Sequence, residues 1–408
     1  LAGCTLAPTY ERPAAPVDAA YPTGPAYGHA QQGAPVQTAA ADVGWREFFQ
    51  DPLLQRLIEL SLADNRDLRV AILNVEATRA QYRIQRADLM PAASVGLSGS
   101  TQRVPADLSS SGKVAFTHDW QAGPSISWEI DLFGRIQSLT EAALQTYFAQ
   151  DETRVAAQLS LISETAMAYL NLRADQELLS LTGETLKTRQ QSYDLIKQSY
   201  DQGVATALDL SQAETLLRTA ERNQVQYLRA VAQDRNALVL LLGQPLPPDV
   251  AARLDQPMPL PDNILPLELP AGLPSDLLER RPDIRAAEHM LLAANANIGA
   301  ARAAFFPRIS LTGFAGSASA SLGDLFSAGQ DAWSFAPSIS IPIFQGGALI
   351  ANLDLSEVRK KIEIATYEKT IQSGFREVAD TLAGRGTLDD EIRAQRQLVD
   401  ASDRAYRL

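Results

Sequence analysis

The chain contains the same sequence pattern twice. Residues Asp67 to Pro91 align without a gap on Asp283 to Pro307 at a shift of 216 (283 − 67), with Asp, Arg, Pro and several Ala positions identical. Pro91 and Pro307 are each followed by a stretch rich in Ser and Gly, then by a loop and a second stretch that begins near a Trp. An internal repeat constrains the fold more than composition does, because each copy must form the same unit. The sequence therefore predicts a duplicated unit of one helix followed by two strands.

The second strand stretches of the two copies match at a shift of 213 (333 − 120). In the first copy, apolar and polar residues alternate from Ser125 to Leu132. Alternation with period two predicts a strand with one apolar face. Two strand pairs, over about 92–133 and 308–345, give four strands per chain. In the first copy we assign Ile126, Trp128, Ile130 and Leu132 to the apolar face, and Ser125, Ser127, Glu129 and Asp131 to the polar face.

A very long helix is predicted to run from Gly134 to about Gln202. No proline occurs between Pro124 and Pro245. Apolar or aromatic residues recur every seven positions, as in the seam of a left-handed coiled coil; they are Leu172, Leu179, Leu186, Tyr193 and Tyr200. At ~1.5 Å per residue this helix would be ~100 Å long. We expect it to end at Gly203, and we expect a return helix to begin at Thr206 and end at Gly243.

The only cysteine, Cys4, follows Leu1, Ala2 and Gly3. These four residues resemble the lipobox of bacterial lipoproteins, in which cleavage before the cysteine leaves it as a lipidated first residue. The resemblance implies a covalent lipid on Cys4 and makes residues 1–3 the end of a signal peptide. The alternative is that Cys4 is an ordinary small, buried residue.

Five regions follow from these patterns. After residues 1–3 we expect an extended N-terminal segment over 4–62, which includes a region around the middle of the helical bundle (the equatorial region). The first repeat follows over 63–243, and a proline-rich linker over 244–281. The second repeat, with helices over 282–306 and from Gly346, covers 282–408. The counterpart of Gly203 would fall near residue 416 (203 + 213). We therefore expect the second turn and its return helix to lie beyond Leu408.

A membrane location is indicated by the strands rather than by the helices. No stretch approaches the ~18 uninterrupted apolar residues of a membrane-spanning helix. Four strands cannot close a barrel, and an open sheet edge is not tolerated in hydrocarbon, so such a chain must oligomerise. Trp120, Trp128 and Trp333 are then expected in the aromatic girdles of a barrel, and the alternative is that they are core aromatics.

Several other function classes receive no support from the sequence. The net charge of −12 argues against nucleic-acid binding, which uses clustered Lys and Arg. His29, His118 and His289 are scattered without ligand spacing, so we predict neither a metal site nor a cofactor apart from the lipid. No phosphate-binding loop or nucleophile stands in a recognisable setting, so we predict that the protein is not an enzyme.

Four motifs resemble those of the TolC-like outer-membrane efflux proteins; they are Asn65–Leu68, Trp128–Arg135, Arg281–Arg285 and Ala300–Pro307. The cysteine motif at Leu1–Cys4 resembles that of the lipidated members of this family. The resemblance implies a mainly helical fold with membrane strands, in which a homotrimer forms a 12-stranded barrel (3 × 4) in the outer membrane and a periplasmic α-helical barrel. It implies the exit duct of a multidrug efflux pump, with a periplasmic adaptor and a proton-driven inner-membrane transporter as partners. The alternative, a lipid-anchored periplasmic coiled-coil scaffold, gives no reason for four alternating strands.

The same resemblance implies roles for the turn that follows the long helix. Asp201 and Asp209 match the periplasmic gate, and Gly203, Val204 and Ala205 match the turn that the adaptor contacts. Asp209 would equally serve as the third helical residue of a capping box with Thr206. Gly203 would be a helix C-cap whether or not an adaptor binds. The sequence alone does not decide between the gate role and the capping role of Asp209.

Overall fold

The computed structural model describes residues 5–27, 43–256 and 276–407, so Cys4 and His29 lie outside the described residues. The helices are α1 (Trp45–Phe48), α2 (Pro52–Asp64), α3 (Arg66–Ala87), α4 (Arg135–Asp201), α5 (Ala207–Leu242), α6 (Pro248–Leu254), α7 (Asp276–Arg280), α8 (Pro282–Ala303) and α9 (Ala348–Arg407). The strands are β1 (Ala92–Val104), β2 (Ala115–Ile130), β3 (Arg308–Ser319) and β4 (Asp331–Ser340). The predicted fold class, mainly helical with four strands, is confirmed.

The duplication seen in the sequence is also present in the structure. Adding 216 to the residue numbers at the two ends of α3 gives the two ends of α8 (282 − 66). Adding 213 to the first residue of α4 gives the first residue of α9 (348 − 135). Each long helix follows a glycine in the left-handed region, Gly134 with φ 71° and Gly347 with φ 87°. Only glycine adopts such a φ without steric cost, so both copies turn from strand to helix by the same device.

The chain divides into two compact units, and the divisions fall in the N-terminal segment, inside α3, α4 and α9, and at the start of α8. The first unit comprises residues 1–17, 74–152 and 283–373, and it contains the four strands as one antiparallel sheet in the order β1-β2-β3-β4. Each strand pairs with the next one in sequence, which leaves β1 and β4 as the two edges.

In the first unit, the N-terminal residues 5–12 lie along α8. Asn295 Nδ2 donates to the Pro8 carbonyl at 2.8 Å, and Arg12 makes two hydrogen bonds, of 2.7 and 2.9 Å, to the carboxylate of Glu288. A Cβ at Gly299 would come within 2.8 Å of the Ala7 backbone nitrogen, so glycine permits this close approach. This segment adds to the burial of α8, which also packs against Ala142 of α4, whereas its repeat counterpart α3 has Leu68 as its one buried residue among those described.

The second unit comprises residues 18–73, 153–282 and 374–408, and its apolar core joins α2, α4, α5 and α6. Apolar side chains from all four helices are fully buried in this cluster; they include Leu54, Leu57, Ile58, Leu172, Leu238, Leu242 and Leu254. The α5 helix agrees with its predicted limits. Thr206 is its N-cap, and Gly243 is a left-handed C-cap with φ 67°.

Three element limits differ from the sequence-based expectation. Strand β2 ends at Ile130, so Asp131 and Leu132 lie beyond the alternating face to which we assigned them. The Asp131 carboxylate instead accepts a hydrogen bond from the Gln137 backbone at 2.7 Å, which satisfies a free amide in the first turn of α4. Strand β4 ends at Ser340, before Pro342, and α8 ends at Ala303 rather than at 306.

Within the described parts of the chain, no helix combines the length and apolarity needed to cross a bilayer.

Candidate channel wall and tip

The two faces of the sheet differ in chemistry. Because residues directly opposite each other in paired strands share a face, the strand registers assign every position to one side. On the polar face, neighbouring hydroxyls pair across strands: Ser94 with Ser125 at 2.9 Å, and Ser310 with Ser338 at 2.7 Å. The opposite face holds large apolar side chains, namely Val95, Leu97, Phe116, Trp120, Ile126, Trp128, Ile130, Ile309, Leu311, Trp333, Phe335 and Ile339. The predicted alternation of β2 is therefore present as far as Ile130.

The apolar face is uncovered within the single chain. Val95 is 82% exposed, Trp333 80% and Ile339 66%. Exposure of this extent over many neighbouring apolar side chains is not expected of a surface in contact with water. A lipid environment would accommodate this face, and the polar face would then line a lumen.

The three predicted girdle tryptophans all lie on the apolar face, at different levels. Trp120 and Trp128 are eight residues apart on β2 (128 − 120), or ~27 Å along the strand. Trp333 pairs with Ala315, and the β2–β3 register places that row between the other two. Trp128 also donates through Nε1 to the Leu89 carbonyl at 3.1 Å, just beyond the end of α3. The girdle assignment stays a prediction.

An ionic cluster lies where the strands meet the start of α4. Glu129 Oε1 accepts hydrogen bonds from Arg135 Nε at 3.1 Å and Nη2 at 2.9 Å, and Glu129 Oε2 accepts one from Arg308 Nη2 at 2.8 Å. We call these three residues the junction cluster. Sequence reasoning missed this cluster, because Glu129 and Arg308 are 179 residues apart. The only signal was a carboxylate near the end of an alternating strand.

At the turn between α4 and α5, Asp209 forms a complete capping box with Thr206. Its carboxylate accepts from the Thr206 hydroxyl at 2.6 Å and from the Thr206 backbone at 2.9 Å, while the Asp209 backbone donates to that hydroxyl at 3.2 Å. The hydroxyl and backbone hydrogen bonds lower the pKa of the Asp209 carboxyl, because they favour its charged form. The capping role is confirmed, and the gate role stays a prediction.

The other predicted tip residues form the turn itself. Gly203 has φ 76°, and its backbone nitrogen donates to the Tyr200 carbonyl at 2.8 Å, so it ends α4 as a left-handed cap. Val204 is 80% exposed, and Ala205 is half-buried. Asp201 pairs with Lys197 on its own helix at 3.5 Å. The structure thus brings Asp201, Gly203–Ala205 and Asp209 into one turn with an exposed apolar tip.

The two histidines in the described residues take part in ordinary polar contacts. His118 Nδ1 lies 3.0 Å from Thr101 Oγ1 within the sheet, and His289 Nδ1 lies 2.7 Å from Gln145 Oε1. Burial lowers the pKa of His289, because it disfavours the charged ring. Among the described residues, no three or more His, Cys, Asp or Glu side chains are grouped as metal ligands would be.

The chain is similar in sequence to known proteins of one family. Residues 57–244 and 273–408 match the family described as "Outer membrane efflux protein". The chain is 54% identical over 409 residues to the probable efflux pump outer membrane protein TtgC of Pseudomonas putida, covering 100% of this chain and 83% of that protein. It is 47% identical to the outer membrane protein OprJ of Pseudomonas aeruginosa, with the same coverage.

Solved structures show the same similarity in three dimensions. A membrane protein from Pseudomonas aeruginosa matches with a TM-score of 0.88 and 46% identity, over 98% of this chain and 88% of that one. The open state of the MtrE outer membrane channel of Neisseria gonorrhoeae matches with a TM-score of 0.84 and 42% identity, over 99% and 87% of the two chains. Sheet and long helices are therefore shared with an outer membrane channel over almost the whole chain.

Proposed function

This chain belongs to the outer membrane efflux protein family, and from that premise we propose that it forms the exit duct of a tripartite multidrug efflux pump. In this role the protein conducts substrates passively across the outer membrane, and the family is one of transport channels rather than of enzymes. The observation that carries the proposal is the four-stranded sheet, with its uncovered apolar face and its opposite face of mainly small and polar residues. A pore-free coiled-coil scaffold would leave that sheet unexplained.

Closure of the barrel by a homotrimer is supported by the strand order. Strands β1 and β4 each pair on one side within the chain, and their outer sides are open. Pairing of β4 with β1 of a neighbouring chain would satisfy both edges, as a hydrocarbon environment requires. Exposed apolar side chains on α3, among them Val70, Leu73 and Ile84, offer further surface for contact between chains.

We expect the full-length protein to cross-link to a limit of three chains in outer membranes and to conduct ions in planar bilayers, because both follow from a closed trimeric barrel. Single-channel recording after reconstitution is the decisive measurement. A stable monomer in detergent whose strands are protected from hydrogen exchange would contradict trimeric closure.

The partners are a periplasmic adaptor and a proton-driven inner-membrane transporter. The turn at Gly203, Val204 and Ala205 is proposed as the adaptor contact, because the side chain of Val204 is exposed at the end of two helices. An apolar group in this position gives a partner something to bury without disturbing the turn.

A second role for Asp209, as a latch of the periplasmic gate, can be separated from its capping role by two variants. Thr206→Ala removes the N-cap hydroxyl and keeps the carboxylate, whereas Asp209→Ala removes the carboxylate and keeps the N-cap hydroxyl. Both should lower the melting temperature: loss of a Thr N-cap costs ~1 kcal/mol, and loss of the carboxylate removes its two hydrogen bonds to Thr206. If Asp209 also latches the gate, Asp209→Ala should raise single-channel conductance and Thr206→Ala should not; Asp201→Ala should raise it if Asp201 shares that role.

The sign of the pH dependence follows from the lowered pKa of Asp209. The capping contribution is complete above the ordinary carboxyl pKa and is lost as the pH falls through the lowered pKa of the folded state. Equal conductance of wild type, Thr206→Ala and Asp209→Ala, together with lower melting temperatures, would leave Asp209 as a cap alone.

Lipid attachment at Cys4 is the remaining part of the proposal. We expect mass spectrometry of the native protein to find acyl chains on Cys4, because Leu1–Cys4 matches a lipobox. A Cys4→Ser variant should lack the lipid and still insert in the outer membrane, since the barrel itself is a membrane anchor. Unmodified Cys4 in the native protein would remove the lipoprotein assignment and leave the channel assignment intact.

A further inference from the structure

We propose that Arg308 sets the charge preference of the duct at the junction between strands and helices, where it attracts anions and the anionic groups of permeating compounds. The inference rests on the channel function proposed above. It assigns a role to the junction cluster that goes beyond holding β2, β3 and α4 together.

The first step is the position of Arg308 relative to the lumen. Arg308 is opposite Ser340 in the β3–β4 pair, and Glu129 is opposite Ser310 in the β2–β3 pair. Both therefore lie on the polar face, on the side opposite Trp128 and Ile339. A barrel with its apolar face in lipid directs Arg308 and Glu129 towards the lumen.

The second step is the unequal exposure of the three charges. The side chain of Arg308 is 57% exposed, whereas those of Glu129 and Arg135 are 21% and 25% exposed. Arg135 donates twice to one oxygen of Glu129, and Arg308 donates to the other oxygen. The single negative charge of Glu129 is therefore shared between two cations. The cluster contains two cations and one anion, and the cation that faces solvent is Arg308.

Asp131 and the other charges of the strands do not cancel this exposed cation. Asp131 is close in sequence, but its carboxylate accepts from the Gln137 backbone in the first turn of α4, where it meets the positive end of the helix dipole. On the polar face of the four described strands, the next charged residue is Asp119, ten residues from Glu129 (129 − 119). That separation is ~34 Å along the strand, several times the Debye length of ~8 Å at physiological salt.

Between these two levels the polar face consists of uncharged residues. They are Ser, Thr, Gly, Ala and Gln, together with Phe314. A permeating ion in this part of the lumen therefore meets no other fixed charge of the strands. In a trimer the exposed guanidinium occurs three times at one level, which concentrates its effect on ions passing that level.

The proposal is tested by reversal potentials of the full-length trimer in a KCl gradient. We expect Arg308→Gln to lower the chloride-to-potassium permeability ratio at least about twofold, and Arg308→Glu to lower it further. Glu129→Gln, which frees the guanidinium from its carboxylate, should raise the ratio. Arg308→Lys should remain close to wild type, because it keeps the charge.

Arg103 provides a matched control. It lies on β1, opposite Phe116 and therefore on the apolar face, and it is exposed. Arg103→Gln removes the same charge from the same sheet, and it should leave the permeability ratio unchanged. An equal shift in Arg103→Gln and Arg308→Gln would assign the effect to overall charge and overturn the proposal.

The outcomes separate this inference from the proposed function. Conducting Arg308 variants with an unchanged permeability ratio would overturn the inference and leave the channel in place. A wild-type trimer that does not conduct would overturn the channel itself. If Arg308→Gln and Arg308→Glu fail to assemble while Arg308→Lys assembles with a wild-type ratio, Arg308 is a structural tie between strands, and the proposal also falls.

Discussion

Gly123→Ala is expected to prevent stable formation of the four-stranded sheet. A Cβ at Gly123 would overlap the Ala315 carbonyl oxygen and lie 2.7 Å from the Gly316 Cα, both backbone atoms of the neighbouring strand. Backbone atoms cannot rotate away as a flexible side chain can, so β2 and β3 would have to separate. We expect a cost of at least about 3 kcal/mol, the upper end of overpacking penalties, and loss of most of the cross-linked trimer in outer membranes.

Gly96 supplies the control for this experiment. It pairs with Gly123 across β1 and β2, but a Cβ added at Gly96 meets no atom within 4 Å. Gly96→Ala should therefore assemble normally, although it changes the same residue type in the same row of the sheet. If Gly123→Ala assembles as well as Gly96→Ala, then β2 and β3 do not approach each other as closely as described.

The glycines of the sheet show which parts of its structure the sequence could predict and which it could not. The Ser- and Gly-rich stretches predicted strands, and alternation predicted the apolar face of Ile126, Trp128 and Ile130. The close approach of Gly123 and Gly316, which are 193 residues apart (316 − 123), depends on strand register, and a single sequence contains no direct signal for register between distant strands.

The same limit explains the contacts of the N-terminal segment. Its prolines predicted an extended conformation, and the described residues 5–12 contain no helix. The sequence did not predict that Arg12 and Tyr10 bind Glu288, because these contacts join positions more than 270 residues apart. Periodic helices and their caps, such as Thr206 and Gly243, were predictable because their signals are local.

A second large effect is expected from Arg173→Met in the core of the second unit. Arg173 is 2% exposed and donates to the carbonyls of Arg253, Leu254 and Gln256 at the end of α6, at 3.3, 3.4 and 3.1 Å. A cation is favourable here, because the carbonyls at a helix C-terminus lack amide partners and carry partial negative charge. Methionine fills similar space but donates no hydrogen bond.

The neighbouring network adds to the expected loss. Arg173 Nε also donates to the Tyr169 hydroxyl at 3.4 Å, and that hydroxyl donates to Asp51 Oδ2 at 2.6 Å, next to the N-terminus of α2. Replacing a buried ion by an apolar residue can be neutral when all its partners are replaced too. Here the partners are mostly backbone carbonyls, which cannot be replaced. The Leu254 carbonyl would keep Gln176 Nε2 as a donor at 2.8 Å, whereas the carbonyls of Arg253 and Gln256 would lose the guanidinium. We therefore expect Arg173→Met to lower the free energy of unfolding by about 3 kcal/mol.

Arg235→Met is the matched control, measured alongside by thermal unfolding of helical circular dichroism in detergent. Arg235 pairs with Asp255, but both side chains are well exposed, at 40% and 56%. Exposed ion pairs contribute at most about 1 kcal/mol, so the control should unfold close to wild type. Equal melting temperatures for the two variants would mean that α6 is held by its apolar residues Val250 and Leu254 and not by the guanidinium. A selective loss in Arg173→Met would instead identify this single buried cation as the link between α4 and the end of α6.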